Sequence, residues 1–387
     1  MGYTLVASLN AKTLHNRKEA QNMMRYIDTV RQRMRALHRT GAVVALCAAT
    51  LALHAQLNEA WTVSFHSIEN PLVARMTVDN NGNVYVTGIF DIAGETHDKR
   101  LVTLKYDANG FLRFAKAETV FFHQYCDIAV DGSGNVYVLG GQRARLIKYD
   151  ANGERQWARD VTFDNNSAAQ TIAAALEVDD AGNVYVVGTY SLNSNVSCVT
   201  FKYDTNGVLL WSHKVNTPSG GVDLALDSAG NVIVTGTVSY YHGYFTAKYN
   251  ANGNLLWSRQ YNGGGSDERP ADLTVDSAGN IIVTGASLSN GYDYLTVKYN
   301  ANGDLLWVRR LGYTYYDFGS AVTVDSAGNV YVTGRSDSSF ATVSYAPDGT
   351  QRWVRISNGG YAPAAVAVDN AGNVYVAGYG YGAGYNT

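Results

Sequence analysis

One eleven-residue phrase returns seven times along this chain, and self-similarity at a near-fixed period limits the fold more than any single residue does. It reads VDNNGNVYVTG (78–88), VDGSGNVYVLG (130–140), VDDAGNVYVVG (178–188), LDSAGNVIVTG (226–236), VDSAGNIIVTG (275–285), VDSAGNVYVTG (324–334) and VDNAGNVYVAG (368–378), at intervals of 44 to 52 residues. Between the copies a second phrase occurs six times: LKYDANGFLRF (104–114), IKYDANGERQW (147–157), FKYDTNGVLLW (201–211), AKYNANGNLLW (247–257), VKYNANGDLLW (297–307) and VSYAPDGTQRW (343–353).

Both phrases predict hairpins. Each turn opens on Asp or Asn and carries Gly in fourth place, as in Asp79–Gly82 and Asn300–Gly303. The opening side chain accepts hydrogen bonds from the turn backbone, and Gly takes the left-handed conformation that closes a type I turn with a bulge. The one departure, Ala346-Pro347-Asp348-Gly349, sets Pro second, where its fixed φ suits the same turn. Two hairpins per repeat make four short antiparallel strands, a to d. Seven such units predict an all-β, seven-bladed β-propeller.

A closed ring of seven needs fourteen hairpins, and one c–d hairpin is missing. Five tryptophans mark strand d (Trp157, Trp211, Trp257, Trp307 and Trp353), Phe114 stands there in the first repeat, and the sixth, Trp61, lies in LNEAWTVSF. We read that stretch as strand d of the seventh blade, whose strands a and b fall at 363–378. Closure by the N-terminus would remove the free sheet edges that invite aggregation. Strand c of this blade is expected to be short, since the chain stops at GAGYNT before the motif is complete.

Composition narrows the function classes. The 39 glycines, 28 tyrosines and only 5 prolines suit strands joined by tight turns. The net charge of -3 supplies no basic field for nucleic acid. Residues 1–40 are polar and basic, and the apolar run Gly41–Leu53 is too short to cross a bilayer but suits the core of an export signal. Residues 34–55 form a compact signal peptide by themselves. Cleavage after Ala55 is therefore expected, with 1–33 an extension from too early a start and 56–387 the propeller. The mature chain is expected to be monomeric, without a transmembrane span, in the periplasm or at or beyond the cell surface. Cys126 and Cys198 occupy different parts of the repeat and imply no disulfide.

The paired phrases resemble the bacterial SBBP-type β-propeller repeat over residues 57–387. The resemblance implies an exported bacterial protein with seven blades and no single assigned activity. The c–d phrase is also similar to quinoprotein-type propeller repeats, where a turn glycine precedes Trp by four residues. The adjacent cysteines and eighth blade of that group are missing here, so no cofactor is expected.

No catalytic constellation stands out. The Asp-x-x-Gly-Asn turns have Gly in fourth place and apolar residues beyond, unlike a calcium loop. The lysines of strand c (Lys105, Lys148, Lys202, Lys248 and Lys298) recur with the fold and are expected to be solvated or to pair across strands. Function is better sought where the copies differ. The b–c and d–a connections share one face and are rich in Tyr, Ser, Asn and Gly, a composition common in binding loops; Tyr241, Tyr244, Tyr292, Tyr294, Tyr315 and Tyr316 are the candidates there. A second feature lies four residues before the turn Asp, where the copies read Arg75, Asp127, Ala175, Asp223, Asp272, Ala321 and Ala365. Three carboxylates and an arginine are thereby expected at the channel mouth, as hydrated charges or as a polar-ligand or metal site. The leading expectation is a non-catalytic scaffold recognising a protein, peptide or glycan through its tyrosine-rich face. A channel-mouth lyase or hydrolase using the Asp cluster with a metal is the alternative, and a structural module of a larger surface protein is the third.

Overall fold

The computed structural model describes residues 3–7, 45–47, 61–66 and, between 73 and 379, all but 92–97, 122–124, 142–143, 165–168, 194, 239–242, 314, 338, 359–361 and 370–371. From Val73 onward the two phrases become hairpins and the hairpins become blades. The first blade is Val73–Val78, Val84–Asp91, Asp98–Tyr106 and Leu112–Phe121; the second is Cys126–Val130, Val136–Gly140, Arg145–Tyr149 and Arg155–Asp160. Blades three and four share one strand, Leu209–Leu226, which serves as d of one and a of the next, so their eight positions form one seven-stranded sheet. The fifth blade runs from Asp267 to Leu311 and the sixth from Asp317 to Asn358. A partial seventh consists of Ala362–Val368 and Val374–Tyr379. The innermost strands, a, pack on one another in chain order.

The turn chemistry is what the residues predict. All thirteen fourth-place glycines have positive φ, between 73° and 84°. In the a–b turn of the first blade, Asp79 accepts from the amides of Asn81 and Asn83 at 2.9 Å, and from the Asn83 side chain at 2.7 Å. The oxygen that takes the Asn83 side chain also accepts from the Tyr85 hydroxyl at 2.9 Å.

The joint between blades repeats as faithfully as the turn. Trp157 donates its indole N–H to the Thr205 carbonyl in the next blade's c–d turn at 3.0 Å, and Trp211, Trp257 and Trp307 do the same to Ala251, Ala301 and Pro347. The indole face lies flat on the turn glycine. A Cβ on Gly303 would stand 2.7 Å from the Trp257 ring, so this position requires glycine for space as well as for its φ of 82°. Where Phe114 replaces Trp, the smaller ring leaves a recess of about 320 Å³ lined by Lys105, Phe114, Ala151 and Asn152.

Four of the strand-c lysines, Lys148, Lys202, Lys248 and Lys298, are buried and Lys105 is partly buried, because the same joint uses them. Lys105, Lys148, Lys202 and Lys248 each donate to the turn carbonyl of the following blade, at 3.0 to 3.3 Å. Lys105, Lys148 and Lys202 also lie over the strand-b tyrosine ring, about 5 Å from its centroid. In blades four and five Ile233 and Ile282 replace that tyrosine, and the lysine takes over the turn carboxylate instead. Lys248 pairs with Asp227 at 2.9 Å and Lys298 with Asp276 at 3.0 Å.

Candidate functional site

The connections that differ between copies meet around blades five and six. The d–a connection after Leu311 carries Tyr313, Tyr315 and Tyr316, which are 52%, 60% and 46% exposed. Its backbone is held at both ends and in the middle. The Tyr313 amide donates to Asp317 at 2.6 Å, the Tyr292 amide to the Tyr315 carbonyl at 2.9 Å, and the Asp337 amide to the Tyr316 carbonyl at 3.0 Å. Three exposed phenols are thus presented by a braced loop. Tyr315 and Tyr316 pack edge to face, centroids 4.9 Å apart.

Tyr292 extends this patch from the side. Its ring lies against Phe318 at 4.4 Å and its hydroxyl donates to Asp267 at 2.6 Å. Arg269 donates twice to the same carboxylate, at 2.9 and 2.6 Å, and sits 5.9 Å over the Tyr292 ring. Of the other tyrosine candidates, Tyr244 and Tyr294 lie inside the protein: their hydroxyls donate to the Leu295 and Ala341 carbonyls at 3.1 and 3.0 Å, tying adjacent blades together. Tyr241 lies outside the described residues. Burial of Tyr244 and Tyr294 follows from strand alternation, which turns the residue five places before the end of strand c toward the neighbouring blade.

The second candidate set does converge. Asp127, Asp223, Asp272 and Arg75 act on one another electrostatically along the inner strands. Their carboxylates are already engaged, however. Asp127 accepts from the Leu176 amide of the next blade at 2.8 Å, Asp223 from Leu273 at 2.8 Å, and Asp272 from Val322 at 2.6 Å. A bulge lies just before Asp223 and Asp272, and Asp127 makes the same bond to the following blade from a regular strand. These residues are staples that satisfy inward-facing amides of the innermost strands. Asp223 and Asp272 also hydrogen-bond to each other; burial, then the neighbouring Asp272 charge, holds the Asp223 carboxyl well above the usual range. Among the described residues no group of three His, Cys, Asp or Glu side chains is placed to hold a metal ion.

Two acidic residues that sequence reasoning passed over complete the picture. Glu177 sits two places after the Asp127-equivalent position, where the other copies hold Thr or Ala. Burial first, then the charges of Asp127 and Asp223, push its carboxyl up to about 8. Glu268 is fully buried and accepts from the Gly263 and Gly265 amides at 2.8 and 3.3 Å, bracing the connection before blade five. For Glu177 the departure from the other repeats was the available signal, whereas at the Glu268 position blade six also carries an acid, Asp317.

Four-stranded blades stapled around inner strands define a β-propeller. Residues 51–289, more than half of the chain, match the family described as outer membrane protein assembly factor BamB, and residues 306–341 match the SBBP β-propeller repeat. The chain belongs to this BamB family of β-propeller repeat proteins. No curated protein matches it. Among solved structures, the Dos1 propeller is similar at 10% identity, with 79% of each chain covered and a TM-score of 0.52. Sqt1 of Chaetomium thermophilum, solved bound to the N-terminus of a ribosomal protein, is similar at 13% identity, with 74% of each chain covered and a TM-score of 0.51. No described helix is long and apolar enough to cross a membrane.

Proposed function

We propose that this chain is an exported scaffold that recognises a protein, peptide or glycan through the patch formed by Tyr292, Tyr313, Tyr315 and Tyr316. The observation that carries the reading is the placement of three half-exposed phenols on a backbone-braced loop. Ordering the loop in advance lowers the entropy lost on binding, and Tyr offers wide contact area with few rotatable bonds. The partner-bound Sqt1 supports the reading, as a protein of similar fold that holds a peptide segment. The test is a screen of glycans and extracellular proteins against the full chain and against Tyr315→Ala/Tyr316→Ala. A ligand captured by the wild type should bind the double variant at least tenfold more weakly, as expected where an aromatic hot spot is worth about 2 kcal/mol. Undiminished binding by the variant would place recognition elsewhere. Export is supported by the signal-like segment 34–55 and by the outer-membrane assembly family. N-terminal sequencing of exported protein should begin at Gln56.

The ring is proposed to have seven blades and to close at Trp61. Met76 in strand a of blade one is 37% exposed and Val376 in strand b of the last hairpin 36%, whereas their counterparts in the intervening blades are almost fully buried. These apolar faces are the pair that closure brings together. In a ring closed this way the joint made by Trp257 would be repeated by Trp61 against the c–d turn Asp107–Gly110 of blade one. Trp61→Ala should lower stability by about 3 kcal/mol, close to the effect of Trp257→Ala. A silent Trp61→Ala in urea unfolding would mean that this strand does not close the ring.

A further inference from the structure

Among the described residues the last hairpin consists of strands a and b. In each preceding blade, strand b pairs on its outer side with strand c, which in turn pairs with strand d. Three short strands near the N-terminus, Tyr3–Ala7, Ala45–Cys47 and Trp61–His66, form a separate sheet with Trp61–His66 at its centre. The pairing of Tyr3–Ala7 with Trp61–His66 is antiparallel, with Ala7 opposite Trp61, Val6 opposite Thr62 and Tyr3 opposite Phe65.

This register is the one the blades use. There the residue opposite the strand-d aromatic is always the one at the strand-c lysine position: Lys298 opposite Trp307, Lys248 opposite Trp257, Lys202 opposite Trp211, and Ser344 opposite Trp353. Ala7 holds that position against Trp61. A second observation is independent of the register: Tyr3–Ala7 lies alongside Val374–Tyr379, strand b of the last hairpin.

We infer that Tyr3–Ala7 is strand c of the seventh blade in the uncut chain. The blade is then assembled from three separated segments, with a and b from the C-terminal end, c from residues 3–7 and d from residues 61–66. Transferring the blade-five register, in which Ile282 faces Lys298 and Val283 faces Val297, sets Ala7 opposite Tyr375 and Val6 opposite Val376. The inferred strand c, residues 3–7, lies ahead of the proposed signal 34–55, so both are present only in the uncut chain. Cleavage after Ala55 would vacate the strand-c position and leave the edge of Val374–Tyr379 open to an extended strand from elsewhere.

The test uses the uncut chain, expressed without export, with Cys47→Ser to remove a competing thiol. Cysteine pairs are placed at Ala7 and Tyr375, at Val6 and Val376, and, as an out-of-register control, at Val6 and Val374. Neighbouring antiparallel pairs alternate between closer and wider spacing, so at least one in-register pair should oxidise to a disulfide while the control does not. Hydrogen exchange on the unsubstituted chain provides the second readout. The outward amides of Val374–Tyr379 should be protected to the same degree as those of Val330–Ser336 in blade six. Disulfides in neither in-register pair, or equally in the control, together with fast exchange along the outer edge, would overturn the assignment.

Discussion

Replacing Lys298 with alanine is expected to lower the stability of the propeller by about 3–5 kcal/mol, the usual cost of leaving one member of a buried ion pair alone. Lys298 is 1% exposed and its Nζ lies 3.0 Å from Asp276. Burial alone would raise the Asp276 carboxyl. Hydrogen bonds from the Asn280 side chain and from Lys298 more than offset this and hold it below its ordinary value. Without the lysine, the carboxylate stays buried and loses a donor that Ile282 cannot replace. Lys105→Ala should cost far less, about 1–2 kcal/mol, because Tyr85 already donates to Asp79 in that blade and only a hydrogen bond and a ring contact disappear. Urea midpoints of the two variants separate these cases, and equal losses would refute the assignment. The chain itself suggests the rescue: adding Ile282→Tyr to Lys298→Ala restores a hydroxyl donor and should recover about 1 kcal/mol.

That contrast shows which parts of the molecule were legible before the fold was described. Turns were legible because Asp and Gly at fixed spacing act within four residues, and all thirteen left-handed glycines lie where the phrases place them. Strand order within a blade followed from two consecutive hairpins. Of the strand-c lysines the cross-strand contact was legible, since Lys105, Lys148 and Lys202 stand opposite Tyr85, Tyr137 and Tyr185, but the burial was not. A Lys in an alternating strand reads as solvent-facing, and the acceptor that buries Lys148 is Thr205, 57 residues away in the next blade. The same limit applies to the inner carboxylates. Spacing brought Asp127, Asp223 and Asp272 together correctly, but an amide such as Leu176 N–H is invisible in sequence, so staples looked like a ligand cluster.

The tyrosines divide on the same physical ground. Tyr292, Tyr315 and Tyr316 were identified by lying in connections where the copies disagree, and the structure keeps Tyr315 and Tyr316 at the surface. Tyr244 and Tyr294 stand within the first three residues of strand c, near enough to the connections to share their composition. Strand geometry decides their fate instead, because each points across to the adjacent blade and finds a carbonyl there. Composition locates a variable face; alternation decides which of its residues look outward.

Glu177→Gln is expected to make the protein more stable than the wild type above pH 8, with the difference vanishing near pH 4. The sign follows from where the proton sits. In the folded chain burial and the nearby Asp127 and Asp223 charges push the Glu177 carboxyl up to about 8, against 4.5 when solvated. Between these pH values the folded protein retains a proton that the unfolded chain releases, so the wild type loses stability as pH rises through this window. Allowing for partial solvent access, the loss should be about 1–3 kcal/mol. Glutamine keeps the shape and hydrogen bonding of the protonated acid without the charge. Because the other repeats hold Thr or Ala at this position, the fold itself does not need a carboxyl there. Asp127 and Asp223 are present in both proteins, so their own titrations largely cancel in the comparison, apart from what each gains once the Glu177 charge is gone. Urea midpoints of wild type and variant at pH 5, 7 and 9 provide the check. Parallel profiles across that range would mean that Glu177 meets water rather than the inner carboxylates. A difference that opens toward pH 9 would show that the inner strands stay packed by keeping this acid neutral while Asp127 and Asp272 staple one blade to the next.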